Sequence, residues 1–250
     1  MQHASSIPPD TLRVLERLST RNDLEGFTLI GGTALALRHG HRRSEDLDLA
    51  WTGTGLPKGT IARIVRELPA GGPARNLIDP LDAQLAQNDG IYLPDHQQDW
   101  SIDGVKVTFY EQPPRNATIL AEGTPESMGN LAIADDETLF RMKCVVLIDR
   151  TTSRDLFDLW WFTQKGGRTT QQILAQMREH DPHLSNDIHM SKLAPRSLPL
   201  SDPGFDTTLS DAPQTTQDLI EQMDEMVRSH RAYLAQQMAL MAAFDQGRGA

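Results

Sequence analysis

Residues 1–165 are predicted to form an α/β (α+β) core, a mixed sheet with flanking helices, followed over 166–250 by a mostly helical C-terminal region. Three observations carry this. Phe27-Thr28-Leu29-Ile30 reads as a short buried strand that passes through Gly31-Gly32 into the helix-forming run 33–38. Residues 45–51 alternate strictly, with Leu47, Leu49 and Trp51 on one side and Asp46 and Asp48 on the other. Trp100-Ser101-Ile102 and the run 105–110 flank Asp103-Gly104, a dipeptide suited to a type I′ hairpin turn.

The remaining elements follow in chain order. Pro8-Pro9-Asp10 opens a helix with Asp10 as its N-cap and Leu12, Leu15 and Leu18 at helical spacing. Residues 59–68 form another, striped by Ile61, Ile64, Val65 and Leu68. From 69 to 98, mixed Pro, Gly and Asn signals define no element. A helix capped by Asp135 or Asp136 runs towards Arg150, and a second begins at Ser153. Residues 180–213, rich in Pro, Ser and Asp, read as an irregular excursion. The stretch 216–244 is a long helix whose Leu219, Met223, Met226, Leu234, Met238 and Met241 make a sulfur-rich core stripe or helix-partner face.

The composition narrows the classes. An apolar fraction of 38% and a charged fraction of 23% are those of a globular domain, and no run reaches the roughly 18 apolar residues of a membrane span. The sequence from Met1 to Ser6 lacks the basic and apolar regions of a secretory leader, and Cys144 is the only cysteine, so a cytoplasmic location is expected. With 24 Lys plus Arg against 34 Asp plus Glu, the net charge of −10 argues against coating long stretches of nucleic acid. A local contact with one RNA end stays open, because the densest basic run, 38–43, lies beside the aspartates. That run reads either as a solvated loop or as an RNA contact.

Asp46-Leu47-Asp48 is a short acidic alternation that occurs on solvated strands as well as in metal sites. The preceding Gly31-Gly32-Thr33 turn adds unhindered backbone N–H groups and a hydroxyl, which suit phosphate oxygens. Two carboxylates from one strand suit Mg²⁺, with Mn²⁺ as its substitute, since a hard cation completes its shell with water and substrate phosphates.

The stretch FTLIGGTALALRHGHRRSEDLDLAW resembles the nucleotidyltransferase family that includes the AbiEii/AbiGii-type toxins of bacterial abortive-infection systems. The matching parts are residues 31–35, Arg42 or Arg43 with Ser44, and residues 46–49. Downstream, Lys143, Arg150 and the run 153–159 resemble the family's Lys motif and its Arg-Asp-x-x-Asp helix. The resemblance spans roughly 25 to 165 and implies a nucleotidyltransferase-type sheet. It implies that Asp46 and Asp48 bind metal and that Gly31, Gly32, Thr33, Arg43 and Ser44 contact the triphosphate. Lys143 would hold phosphate. Asp158, with Asp155, would lie near the base or acceptor side, and Arg154 would orient them or the substrate. Many relatives in the wider superfamily place a third carboxylate on a following strand, but residues 105–109 contain no acid. Either a second metal is then held less firmly, or Asp158 supplies the missing charge from the helix.

The expected reaction moves a nucleotide from an NTP to an acceptor, with tRNA or another RNA as acceptor and a cognate antitoxin as partner. Two other readings stand: transfer to a small molecule such as an aminoglycoside, and a catalytically weak binding or regulatory module. His39 and His41 lie near the motif and read as solvated loop residues.

Overall fold

The computed structural model describes residues 6–248, and side chains as far as Phe244; most of the segment screened above for a leader, residues 1–5, lies outside it. The chain divides into two units, residues 1–142 with 206–209 and residues 143–205 with 210–250.

The first unit begins with α1 (Pro9–Ser19), whose Val14, Leu15 and Leu18 are buried. Pro8 is its N-cap and Asp10 lies in the first turn, paired with Arg13, so Asp10 is not the cap expected from sequence. Proline's fixed φ and missing N–H suit this helix start. The strands are β1 (Phe27–Ile30), β2 (Leu47–Trp51), β3 (Arg75–Asn76), β4 (Gln97–Ile102), β5 (Val105–Glu111), β6 (Glu126–Met128) and β7 (Leu131–Ile133). Between them lie α2 (Gly31–His39), α3 (Lys58–Glu67), α4 (Pro80–Asn88), a 3₁₀ turn at Leu93–Asp95 and α5 (Pro114–Glu122).

The sheet has seven strands in the order β3-β4-β5-β2-β1-β7-β6. It is mixed, with β2 parallel to β5 and β1 parallel to β7, while the other pairs are antiparallel. Register explains the core. Leu29, Leu49 and Phe109 form one row across β1, β2 and β5, and Leu47 lies opposite Val107; all five are fully buried. Phe27 stacks against Trp51 at 5.0 Å and Phe109 at 5.5 Å between ring centroids. Each such side chain contributes about 1.5–3 kcal/mol by leaving water. The opposite face carries the even-numbered residues of β2 and β5, including Asp48, Lys106, Thr108 and Tyr110. The hairpin is as expected, with both Asp103 (φ 50°) and Gly104 (φ 85°) left-handed.

The boundary between units falls within α6 (Asp136–Asp149), after Met142. Asp135 caps this helix by accepting from Thr138 N–H at 2.8 Å. The second unit continues through α7 (Ser153–Gln164), α8 (Thr170–His180), α9 (Asn186–Leu193) and α10 (Thr216–Arg248). The sequence reading grouped residues 143–165 with the core. They belong instead to the second unit, because α7 packs on α10 and buries Leu156, Leu159 and Trp160 with Leu219 and Met223.

The irregular excursion expected over 180–213 is interrupted by α9, capped by Ser185. The stripe of α10 is buried at Leu219 and Met223 but not further along, where Met238 is 71% and Met241 68% exposed.

Candidate active site

In the first unit the site is built where β1 turns into α2. Gly31 adopts φ 75°, and a Cβ there would come within 2.5 Å of Asp48 Oδ2. A Cβ at Gly32 would collide with the Arg42 guanidinium and sit 2.9 Å from Ser44 Oγ. The two glycines therefore allow the helix N-terminus to close against Asp48, Arg42 and Ser44, and a side chain at either position would push them away. A helix N-terminus also presents backbone N–H groups and the positive end of the helix dipole, the surroundings that suit phosphate oxygens.

Thr33 is fully buried. Its hydroxyl donates to the Asp46 carbonyl oxygen at 2.5 Å and lies 3.0 Å from Ser44 Oγ. In this geometry Thr33 anchors the start of the aspartate strand to α2. Asp46 and Asp48 are both half-buried, whereas Glu45 is exposed and pairs with Arg43 at 3.2 Å. Burial thus separates Glu45 from the two aspartates; the paired strand begins at Leu47, after both Glu45 and Asp46, so strand parity covers Asp48 alone.

The basic run is not a solvated loop. Arg38 pairs with Glu126 at 2.8 Å and donates to the Ala134 carbonyl at 2.9 Å. The His39 ring lies 2.8 Å from Asp136 Oδ1, and His39 holds the Asp136 carboxyl below its usual range despite burial. His41 and Arg42 are buried, and the loop is pinned by Thr207, which donates to the His41 carbonyl at 2.7 Å, and by Arg43 N–H, which donates to Asp206. Of residues 38–43 only Arg43 is exposed. Neither His39 nor His41 is the solvated loop histidine expected from sequence.

On β5 the register neighbour of Asp48 is Thr108, and the neighbour of Thr108 on β4 is Asp99. The next acid on this face therefore stands two strands from Asp48. Its side chain is 13% exposed and pairs with Lys106 at 3.5 Å. Sequence reasoning missed it, yet it could be counted outward from the hairpin turn, since Asp99 and Thr108 flank Asp103-Gly104 symmetrically.

The second unit holds a different cluster. Lys143 on α6 extends between two carboxylates of α7, with Nζ 2.7 Å from Asp155 Oδ1 and 2.7 Å from Asp158 Oδ2. The three side chains are 10%, 2% and 0% exposed. Asp155 also accepts from Thr152 Oγ1 at 2.8 Å and Arg150 Nε at 3.2 Å. Burial would push its pKa up, but the charges of Lys143 and Arg150 and the hydrogen bonds from Lys143 and Thr152 outweigh that and hold it below the usual carboxylate value. Lys143 is thus no solvated helix-face lysine. Its charge is met twice, so it fixes the positions of both aspartates.

Arg154 does not orient them; its Nε donates to the Gly204 carbonyl at 3.1 Å, and the orienting groups of Asp155 are Lys143, Arg150 and Thr152. Asp202, another residue that sequence reasoning missed, accepts from Ser153 N–H at 2.8 Å and from the Ser153 hydroxyl. It ties the irregular segment to the first turn of α7.

Among the described residues no group of three or more His, Cys, Asp or Glu side chains forms a metal-binding cluster. Asp46 and Asp48 nonetheless fit Mg²⁺, which takes one or two protein carboxylates and draws its other ligands from water and substrate phosphates.

A sequence model of the nucleotidyl transferase AbiEii toxin family, described as belonging to type IV toxin–antitoxin systems, matches residues 13–246. The chain belongs to this family of nucleotidyltransferase toxins. An uncharacterised protein of Aquifex aeolicus (strain VF5) is 28% identical over 159 residues, 64% of this chain and 68% of that protein. Solved structures to which the chain is similar include JHP933 from Helicobacter pylori, with 16% identity, a TM-score of 0.44 and coverage of 98% of this chain and 97% of that one. MenT4, a nucleotidyltransferase toxin from Mycobacterium tuberculosis H37Rv, has 12% identity and a TM-score of 0.46, covering 91% of this chain and 87% of its own. Among the described residues no helix is long and apolar enough to cross a membrane.

Proposed function

We propose that this protein is a Mg²⁺-dependent nucleotidyltransferase that moves a nucleotide from an NTP to a hydroxyl of RNA, with the tRNA acceptor end as the target. It acts in the cytoplasm as a toxin restrained by a cognate antitoxin. The observation that carries the reading is the closure of the Gly31-Gly32 turn on Asp48, which sets a helix N-terminus beside that carboxylate. That combination offers phosphate contacts and metal ligands in one place.

Asp46 and Asp48 would hold the metal, which neutralises charge developing on the phosphate oxygens. The backbone N–H groups of Gly31 and Gly32 would bind the triphosphate, with Ser44 and Arg43 as side-chain contacts. Thr33 keeps Asp46 in place. The acceptor hydroxyl then attacks the α-phosphorus in line as the bond to pyrophosphate breaks, and positioning and charge stabilisation supply most of the acceleration. In the second unit Lys143 holds Asp155 and Asp158 in position.

One observation favours a second reading. Five of the six residues of the basic run are turned inward or half-buried, which leaves little cationic surface there for a polyanion and suits a small hydroxyl acceptor. The deciding experiment incubates purified protein with Mg²⁺ and each labelled NTP, with and without total tRNA. Label in a tRNA-sized band supports the first reading. Equal NTP consumption with and without RNA overturns it, and no consumption with any NTP leaves the family's binding-module reading.

A further inference from the structure

We propose that α4 and the turn behind it form a docking face for a partner polypeptide whose own apolar stripe is flanked by lysines or arginines. Helix α4 has no buried residue. Leu81 and Leu85, four apart and therefore on one face, are 63% and 54% exposed. Ile91 is brought back alongside the last turn by its N–H, which donates to the Ala86 carbonyl at 2.9 Å, and it is 46% exposed. Leu77 and Tyr92, at either end of the segment, are exposed as well. Scattered surface leucines need no explanation, but a helix that keeps its only apolar face in water has a face without a core to fill. So short a helix is marginal in isolation. Here the start is held by Pro80 and by Asp79, which accepts from Leu81 N–H at 2.7 Å.

Charge selects the occupant. Residues 76–105 contain six aspartates and no lysine or arginine. Asp95, Asp99 and Asp103 are met by Lys58, Lys106 and Arg17 from other elements. Among the described residues, no lysine or arginine forms an ion pair with Asp79, Asp82 or Asp89, so the apolar face keeps an acidic rim. A polyanion is repelled by that rim. A second copy would bring the same acidic rim on a chain of net charge −10. A polypeptide with an apolar stripe and basic flanks gains from both the leucines and the aspartates. The inference does not depend on the proposed reaction.

The test uses the full-length protein and, as probe, a synthetic amphipathic helix with a leucine face and lysine flanks. Binding is measured by titration, and its location by hydrogen–deuterium exchange. The expected result is protection over residues 79–93 and affinity at least about tenfold lower for the Leu81→Gln/Leu85→Gln variant, the scale of losing two buried leucines. Glutamine keeps helix propensity, and circular dichroism checks the fold. A Leu81→Asp/Leu85→Asp variant separates apolar docking from plain charge attraction. It adds two negative charges, so its binding rises if attraction is all there is and falls if the leucines dock. The proposal is overturned by any of four results: tighter binding to the aspartate variant, equal binding of the same peptide with glutamate flanks, protection of residues 79–93 by total tRNA, or a wild-type dimer that the variants dissociate. Absence of any peptide binding overturns it equally.

Discussion

The two carboxylate pairs differ in what surrounds them. Asp46 and Asp48 lie at a strand end, half-buried, beside a glycine turn where a larger residue would push Asp48, Arg42 or Ser44 aside. Asp155 and Asp158 project from a helix, almost wholly buried, and share one lysine. Half-burial leaves Asp46 and Asp48 within reach of solvent and of an incoming cation. A buried, compensated pair is bound into the fold, because removing any member strands the rest in a poor dielectric. Equal net charge in a sequence motif therefore says little about role until burial is known.

The largest expected effect tests the first half of this contrast. Asp46→Asn or Asp48→Asn should lower transfer by about a thousandfold or more, the loss of several kcal/mol of transition-state charge stabilisation, with an unchanged melting curve. Glu45→Gln should stay within about tenfold of wild type, because Glu45 is exposed and pairs with Arg43 on the surface. Turnover across a Mg²⁺ titration measures all three. If both aspartate variants remain active, the nucleotidyl-transfer reading fails.

The second half predicts the opposite balance. Lys143→Met leaves two buried carboxylates facing each other and should cost about 3–5 kcal/mol of stability, read from denaturant unfolding. Adding Asp155→Leu and Asp158→Leu to it should recover most of that stability, since a well-packed apolar triad can replace a buried ionic one, while transfer stays lost. A Lys143→Met protein as stable as wild type would return Lys143 to a purely substrate-binding role.

Acid should find the same cluster. Asp155 titrates below the ordinary carboxylate value of 3.8, so its contribution to stability is fully present above that pH and is lost as pH falls through its lower folded value. Stability measured from neutral pH down to pH 2 should decline less steeply at the acid end in Asp155→Asn than in wild type. An identical acid slope would mean that Asp155 adds nothing to the pH dependence.

Much of this was legible in the sequence where local patterns agree with the fold. The strand position of Leu47, Asp48 and Leu49, the Asp103-Gly104 hairpin and the helix starting near Asp135 each rest on spacing within a few residues. What was not legible depends on contacts distant in sequence. The inward course of residues 38–43 is set by Glu126, Asp136 and the 206–209 segment. The lysine looked like a surface phosphate ligand because its partners sit on the next helix. Asp202 lies in a segment whose Pro and Ser content signalled only irregularity. Helix α4 escaped detection because its apolar residues face water, which leaves Asp79-Pro80 as the only local start signal.

The smallest effect concerns Arg43, the one exposed member of the basic run. With Arg42 buried, charge reversal there would disturb the fold, so Arg43→Glu is the clean probe of an RNA contact. It should weaken RNA use a few-fold at low salt, more than it weakens NTP binding, and flatten the log–log salt dependence by roughly one phosphate contact. Glu45 supplies a control of opposite sign. Arg43 pairs with that carboxylate at 3.2 Å, a surface interaction contributing about 0–1 kcal/mol. Glu45→Gln releases the guanidinium and should strengthen RNA use slightly. Opposite shifts in the two variants identify Arg43 as a phosphate contact on the acceptor path. If neither variant changes RNA use, the acceptor does not pass this loop, and the small-hydroxyl reading gains the weight that the RNA reading loses.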